Sequence, residues 1–395
     1  MALALHVKGP DGTEEVYTKQ LSDYTNDAGF VTANDVAAAP NFYKRKALPS
    51  VTKTEVTVSP TWVNINNIGH ISTANTTLDI NSASSWDAAT YATPANRAGK
   101  SFYIYACAGN TNKTPRFILS ANSTTPTGYN ANTSRKIGGF HCLCADVGTI
   151  ADHDLSGYQT GDILPLSVWD LCHRPIADPE GMVWIEGIGK WVDIYLAHWS
   201  GSKFVSQYNG THNMNFSGEK NAELMGKSGK HLCWRNEFMV FAKGSNECTN
   251  IVDSTFVSTT GGHVDTEGRR MISNYGIEDC CGLSAQWGSD LFESWIGNGS
   301  LKWMNNEDPS TETYEENNMH LYLTGYQWRP ESVFNPDENQ NFGQASGLLR
   351  RVLLGGGDAS GVRCGSRYAA CSYFSSYRSG HIGARGVSEP RPFAV

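Results

Sequence analysis

Residues 353–386 read LLGGGDASGVRCGSRYAACSYFSSYRSGHIGARG. The stretch is rich in Gly, Ser, Tyr and Arg. It holds no Lys, Glu, Gln, Met or Trp, five types that make up about one residue in seven of the whole chain. From Gly357 to His381 there are six Ser, four Gly and three Tyr. Tyr offers a large amphipathic contact area at small conformational cost, and Ser and Gly adapt around it, as in antibody loops. The interleaved Tyr, Phe and Arg set the segment apart from a plain Gly/Ser linker. The genetic code gives a second reading of the same absence. An Asn codon AAC whose adenines are replaced at random keeps its final C, and such codons never encode the five missing types.

The totals frame this segment. A chain of 395 residues exceeds one ordinary core, so three domains are expected. Hydrophobic residues at 39 %, with 11 Trp and 17 Tyr, suffice for packed cores. A formal net charge of −8 with no basic stripe argues against a nucleic-acid partner. Charged residues are only 18 %, a polar but weakly charged texture that suits β-rich proteins outside cells or on particles. No apolar run is long enough to span a membrane. The opening MALALHVKGPDG turns polar too early for a secretory signal.

Residues 1–50 read as a small separate unit in which short Thr/Val/Tyr pieces alternate with Asn-Asp-Ala-Gly turn chemistry, closed by Pro40 and Pro49. Residues 51–165 alternate apolar with polar. VTKTEVTVSPTWVNI, SFYIYACAG, PRFILSA and RKIGGFHCLCA are expected as strands of an antiparallel sandwich. From about Ser167 the chain is Trp-rich and irregular. LCWRNEFMVFAKG (232–244) is the best helix candidate, ending at Gly244 as a left-handed cap. One or two helices and little regular sheet are expected in residues 166–395.

The usual catalytic arrangements are missing: no H-E-x-x-H, no G-x-S-x-G, no phosphate-binding P-loop and no EF-hand. No metal or cofactor is expected. Ten cysteines (107, 142, 144, 172, 233, 248, 280, 281, 364, 371) lack zinc spacing. Buried reduced thiols are the plainer reading, and a Cys364–Cys371 disulfide stays open. The acidic stretch NNEDPSTETYEENN (305–318) reads as a solvated loop.

The frame LLGG–x₈–GSR–x₁₅–GARG (353–386) resembles the major tropism determinant family, phage receptor-binding variable proteins diversified by a retroelement through adenine mutagenesis. PTGYNANTSRKIGGFH (126–141), LSVWDLCHRPIADPEGM (166–182), WVDIYL (191–196) and GKHLCWRNEF (229–238) resemble it in the same order. LSDYTNDAGFVTANDV near the start is loosely similar to linking segments of phage tail fibres.

The resemblance implies a multidomain β-rich, α+β chain. A small N-terminal β domain for virion attachment or trimerisation (1–50) would precede a β-sandwich (51–165). A C-type lectin fold of the formylglycine-generating-enzyme type (166–395) would carry the variable region 355–386. It further implies a homotrimer at a tail-fibre tip on the virion, joined to other tail-fibre proteins and binding a protein or glycan receptor on the host cell.

In that frame Gly355, Gly356, Gly365, Ser366, Arg367, Gly383 and Arg385 would build the scaffold. The varied positions would be Gly357, Ala359, Ser360, Gly361, Arg363, Ala370, Ser372, Tyr373, Tyr377, Ser379 and His381, with Ile382 less certain. Asp358, Tyr368, Phe374 and Arg378 join them as candidate contacts. Asp358 and Cys371 depart from the family, which usually keeps Trp at both places. Two rivals share the fold: a retroelement-diversified bacterial surface adhesin, and a sulfatase-modifying-type oxidase using Cys364 and Cys371.

Overall fold

The computed structural model describes residues 2–8, 14–20, 51–109, 113–212, 214–297, 300–303, 349–371, 373 and 375–391. The acidic stretch 305–318 and the candidate contacts Ser372 and Phe374 lie outside them. The chain divides into two compact units. One comprises Met1–Ala92, Phe102–Gly139 and Asp170–His173; the other comprises Thr93–Ser101, Phe140–Trp169 and Arg174–Val395.

In the first unit, β1 (Ala2–Lys8) pairs antiparallel with β2 (Glu14–Gln20), Ala2 opposite Gln20. β3 (Glu55–Val58) and β4 (Thr61–Ile65) are separated at Ser59-Pro60, where proline cannot donate to a ladder. β4 turns into β5 (Ile68–Ser72) through Asn66 and Asn67, both left-handed, the backbone that a two-residue hairpin demands. β6 (Thr76–Asp79) pairs back onto β3. β7 (Ser101–Cys107) runs antiparallel to β8 (Arg116–Ser120), with β9 (Ser134–His141) on its other side. All four stretches expected as strands contain them. Val56, Val63, Ile65, Ile104 and Leu119 fill the core. The Trp86 indole lies edge-on to Phe102 at 4.8 Å and donates to Ile80 O at 2.9 Å.

The second unit holds more sheet than its texture suggests, because its strands are short and their partners distant. β10 (Met182–Ile185), β11 (Lys190–Asp193), β12 (Ala197–Trp199) and β13 (Phe204–Ser206) come first. α1 (Gly218–Lys227) and β14 (His231–Leu232) precede α2 (Arg235–Phe241). β15 (Ala285–Gly297), β16 (Ser300–Trp303), β17 (Leu349–Leu354), β18 (Ala369–Ala370), β19 (Ile382–Ala384) and β20 (Gly386–Ser388) complete it.

Two sheets result. In one, β20 lies between β11 and β14, with Val387 opposite both Val192 and His231. In the other, β15 is flanked by β17 antiparallel and β19 parallel. The GARG end of the sequence frame therefore supplies the central strand of the first sheet and a strand alongside β15 in the second. α2 begins three residues later than the expected helix, its Glu237 carboxylate accepting from the Trp234 N–H at 2.9 Å. Gly244 follows with φ +82° against Asn274, where a Cβ would clash. α1, capped by the Ser217 hydroxyl accepting from the Lys220 N–H at 3.2 Å, carried no strong periodic signal.

Polar side chains bind these layers from inside. Arg385 is fully buried and donates to Gln286 Oε1 at 3.1 Å, Asp193 O at 2.9 Å, Ile194 O at 2.7 Å and Glu278 O at 2.6 Å. Asp193 accepts from Lys230 Nζ at 2.7 Å and from the Gly386 N–H at 3.1 Å. Arg270 forks onto both Glu278 oxygens at 2.8 and 3.0 Å. Asp279 receives the Gly261 N–H, the Thr260 hydroxyl and His263 Nδ1.

His141 is also enclosed, its Nδ1 2.9 Å from Ser101 Oγ and its Nε2 3.0 Å from Tyr195 Oη. Burial pushes its imidazole down to about 3.

Arg385→Ala strands these carbonyls in a dry interior and should cost at least about 3 kcal/mol, read as a lower midpoint in urea unfolding. A second expectation concerns pH. His141 stays neutral when folded and takes a proton when unfolded below its ordinary value of about 6.5. Stability should therefore fall as pH drops from there toward 3, and His141→Asn should show a shallower fall across that range in denaturation at a series of pH values.

Candidate functional site

The frame of 353–386 resolves into two classes of position. Gly355 and Gly356, with φ of +81° and +79°, turn the chain out of β17. A Cβ on Gly355 would run into Cys280 O, and one on Gly356 would come within 3.0 Å of Cys364 Sγ. Gly365 sits against the Glu247 carboxylate with no room for a Cβ. Gly383 and Arg385 are buried in and beside β19, while Ser366 is half-buried and Arg367 is exposed. Most of the expected scaffold is thus interior; Arg367 stands in solvent.

Between these points the segment is fixed through its own main chain. The Gly282 N–H donates to Gly356 O at 3.1 Å, the Gly365 N–H to Gly355 O at 3.2 Å and the Cys248 N–H to Cys364 O at 2.9 Å. Glu247 Oε1 accepts from the Ser366 N–H at 3.0 Å, and the Asn250 side-chain amide donates to Asp358 O. In the second half, the Arg351 N–H donates to Tyr373 O at 3.1 Å and the Gly218 N–H, at the start of α1, to Ser375 O at 2.8 Å. Each bond engages a backbone atom of the segment, so none depends on which side chain stands there.

The candidate contacts lie over this anchored backbone. Ala359, Arg363, Tyr377, Arg378 and His381 are exposed. Gly357, Asp358, Ser360, Gly361, Tyr368, Ala370, Tyr373 and Ser379 are half-buried. Ile382 is buried in β19, which removes its side chain from the surface.

The structure brings Tyr373 and Tyr377 together, ring centroids 5.2 Å apart. Tyr373 and Ala370 also lean on the core around Trp287 and Leu353. Asp358 Oδ1 lies 3.6 Å from His381 Nδ1. Gly361 has φ +54° with open space around it, so its backbone rather than its surroundings favours glycine. Cys371, where the family usually has Trp, packs on the main core.

Sequence reasoning missed Val362, the most exposed large apolar side chain among the described residues at 79 %. It also missed Glu247, Asn250 and Phe256, which meet the segment from far along the chain. Exposed apolar character inside a Gly/Ser stretch is the signal that could have found Val362. No local signal marks the others.

All ten cysteines are free, seven of them buried and Cys248 exposed. Burial pushes the Cys364 thiol up to about 11 and raises Cys371 as well. Burial likewise raises Tyr368. Among the described residues no group of three or more His, Cys, Asp or Glu is arranged to hold a metal ion. The described part of the surface offers an aromatic pair, guanidinium groups and hydroxyls for contact.

Comparison with known proteins follows the same lines. The family profile described as the Mtd second domain matches residues 50–170. The tail fiber receptor-binding protein of Bordetella phage BPP-1 is 32 % identical over 226 residues, which is 50 % of this chain and 56 % of that protein. The match therefore spans little more than half the length of that relative. Among solved structures, the Major Tropism Determinant P3c variant aligns with a TM-score of 0.60 at 26 % identity, covering 86 % of this chain and 82 % of its own. The U1 variant aligns with a TM-score of 0.59 at 25 % identity, covering 87 % and 83 %.

The two classes of position should respond differently to substitution. Ala359→Tyr and Tyr377→Ser should leave unfolding free energy within about 0.5 kcal/mol of the parent. Gly361→Val should cost about 1–2 kcal/mol through its left-handed backbone alone, and Gly355→Ala more, through collision with Cys280 O; thermal melts of the four variants give the ranking.

Proposed function

We propose that the chain is a member of the major tropism determinant family, to whose proteins it is similar, and a phage tail-fibre receptor-binding protein whose 355–386 window binds a receptor on the host cell. The carrying observation is the division of labour in that window. Its main chain is held by partners elsewhere in the fold, and the side chains at 359, 363, 377, 378 and 381 face solvent. Such a surface changes its recognition properties without changing its fold.

In this reading the function is recognition without chemistry. Tyr373 and Tyr377 act as aromatic anchors, and Arg363, Arg378, Asp358 and His381 supply polar selectivity. Residues 1–50 attach the protein to the virion or to its sister chains, 51–165 form the sandwich, and 166–395 form a C-type lectin domain of the formylglycine-generating type. Three copies at a fibre tip, and several fibres on a particle, multiply a modest single-site affinity by about 10²–10⁴. The oxidase alternative needs a thiolate nucleophile, and burial moves both Cys364 and Cys371 away from that state.

Two measurements test the proposal. Sequenced siblings of this gene should differ mainly at the window positions named above, at template adenines; uniform windows with changes scattered elsewhere would overturn it. The Tyr377→Ser variant should lose at least tenfold in attachment to the bacterial strain that the parent chain binds, with its melting temperature unchanged.

A further inference from the structure

The tight turn that follows Asn250 lies about a hundred residues before the window and meets it directly. Asp253 and Ser254 are both left-handed, with φ of +60° and +47°. Neither is glycine, and two such residues in succession are a strained arrangement that surrounding contacts must hold. Those contacts are present. The Ser254 N–H donates to Ile251 O at 3.0 Å, and Asn250 Nδ2 donates to Ser254 Oγ at 2.9 Å. His212 Nε2 lies 3.0 Å from Val257 O, and its ring stands edge-on to Phe256 at 5.8 Å.

The turn presents one apolar ring to the window and a second apolar side chain to solvent. Val252 is 42 % exposed. The Phe256 ring lies 4.2 Å from the His381 ring, tilted by 41°. Asn250 closes the seam, because the amide that holds Ser254 also donates to Asp358 O. The surface on which His381 stands is therefore continuous with residues that lie outside the window.

We propose that the Ile251–Val257 turn is the constant half of the recognition surface, with Phe256 as a fixed anchor on which the residue at position 381 is seated. This rests on the receptor-binding reading above and extends it to side chains that diversification does not reach. The occupant that fits is the host receptor as a protein surface, offering an aliphatic or aromatic side chain to Val252 and Phe256. Exposed Val362 on the window side gives the same apolar preference.

The test uses the full chain, fluorescently labelled, on intact cells of the strain it binds. Val252→Asn and Phe256→Ser should each lower attachment at least tenfold without lowering the melting temperature. The Phe256→Ser loss should persist when His381 is replaced by Asn or Tyr. Ile176→Ser, at a residue 57 % exposed outside this surface, should change nothing, and treatment of the cells with a broad protease should abolish binding.

If Phe256→Ser melts early, Val252→Asn decides. Full attachment of Val252→Asn and of a stable Phe256→Ser, with loss in Tyr377→Ser, overturns the inference and confines recognition to the window. Full attachment of all three, including Tyr377→Ser, sinks the receptor-binding reading itself. Attachment that survives the protease overturns the assignment of a protein partner.

Discussion

The guanidinium of Arg385 is the constraint around which the second unit is organised. It stands between the two sheets, one residue after β19 and one before β20, and donates to backbone carbonyls of Asp193, Ile194 and Glu278 and to the Gln286 side chain. A buried cation is tolerated only when its donors are satisfied, and here the acceptors come from segments roughly a hundred and two hundred residues away. Satisfying it fixes the relative placement of β11, β15 and the segment before β15. Lys230 and Asp193 reinforce the same junction from the other side of Gly386, whose missing side chain leaves room for the Asp193 carboxylate.

The window inherits its rigidity from that junction. It leaves the core through the left-handed pair Gly355–Gly356 and re-enters at β19, so both ends are anchored in buried structure. Between them, hydrogen bonds to its carbonyls and amides hold its path. Exposed side chains there can be exchanged with little effect on stability, which is the condition that the proposed recognition role requires. The freedom is uneven. Tyr373 leans on the core and Gly361 occupies a left-handed backbone, while Ala359, Arg363 and Tyr377 meet neither restriction.

Much of this was legible from residues. Alternation located the strands between Glu55 and His141, and the glycines at 355, 356 and 365 marked where a backbone must pass close to another. The helix before Gly244 was found because its stop signal is local. What stayed hidden depends on partners far apart in the chain. Strands of two to four residues, such as His231–Leu232, lack a period long enough to read. The roles of Asn250, Glu247 and Phe256 exist only after the fold brings them to the window. Burial of Ile382 follows from its pairing with Ala285, which no neighbouring residue announces.

The position of β20 carries a further consequence. Val387 pairs on both sides, with Val192 and with His231, so the sheet lacks a central strand until the chain downstream of the window has been made. A reading-frame slip anywhere between Gly357 and His381 removes Arg385 and this strand together. The defective product is then left with an open sheet and unsatisfied carbonyls. Completion of the fold thus depends on an intact reading frame through residues 357–381.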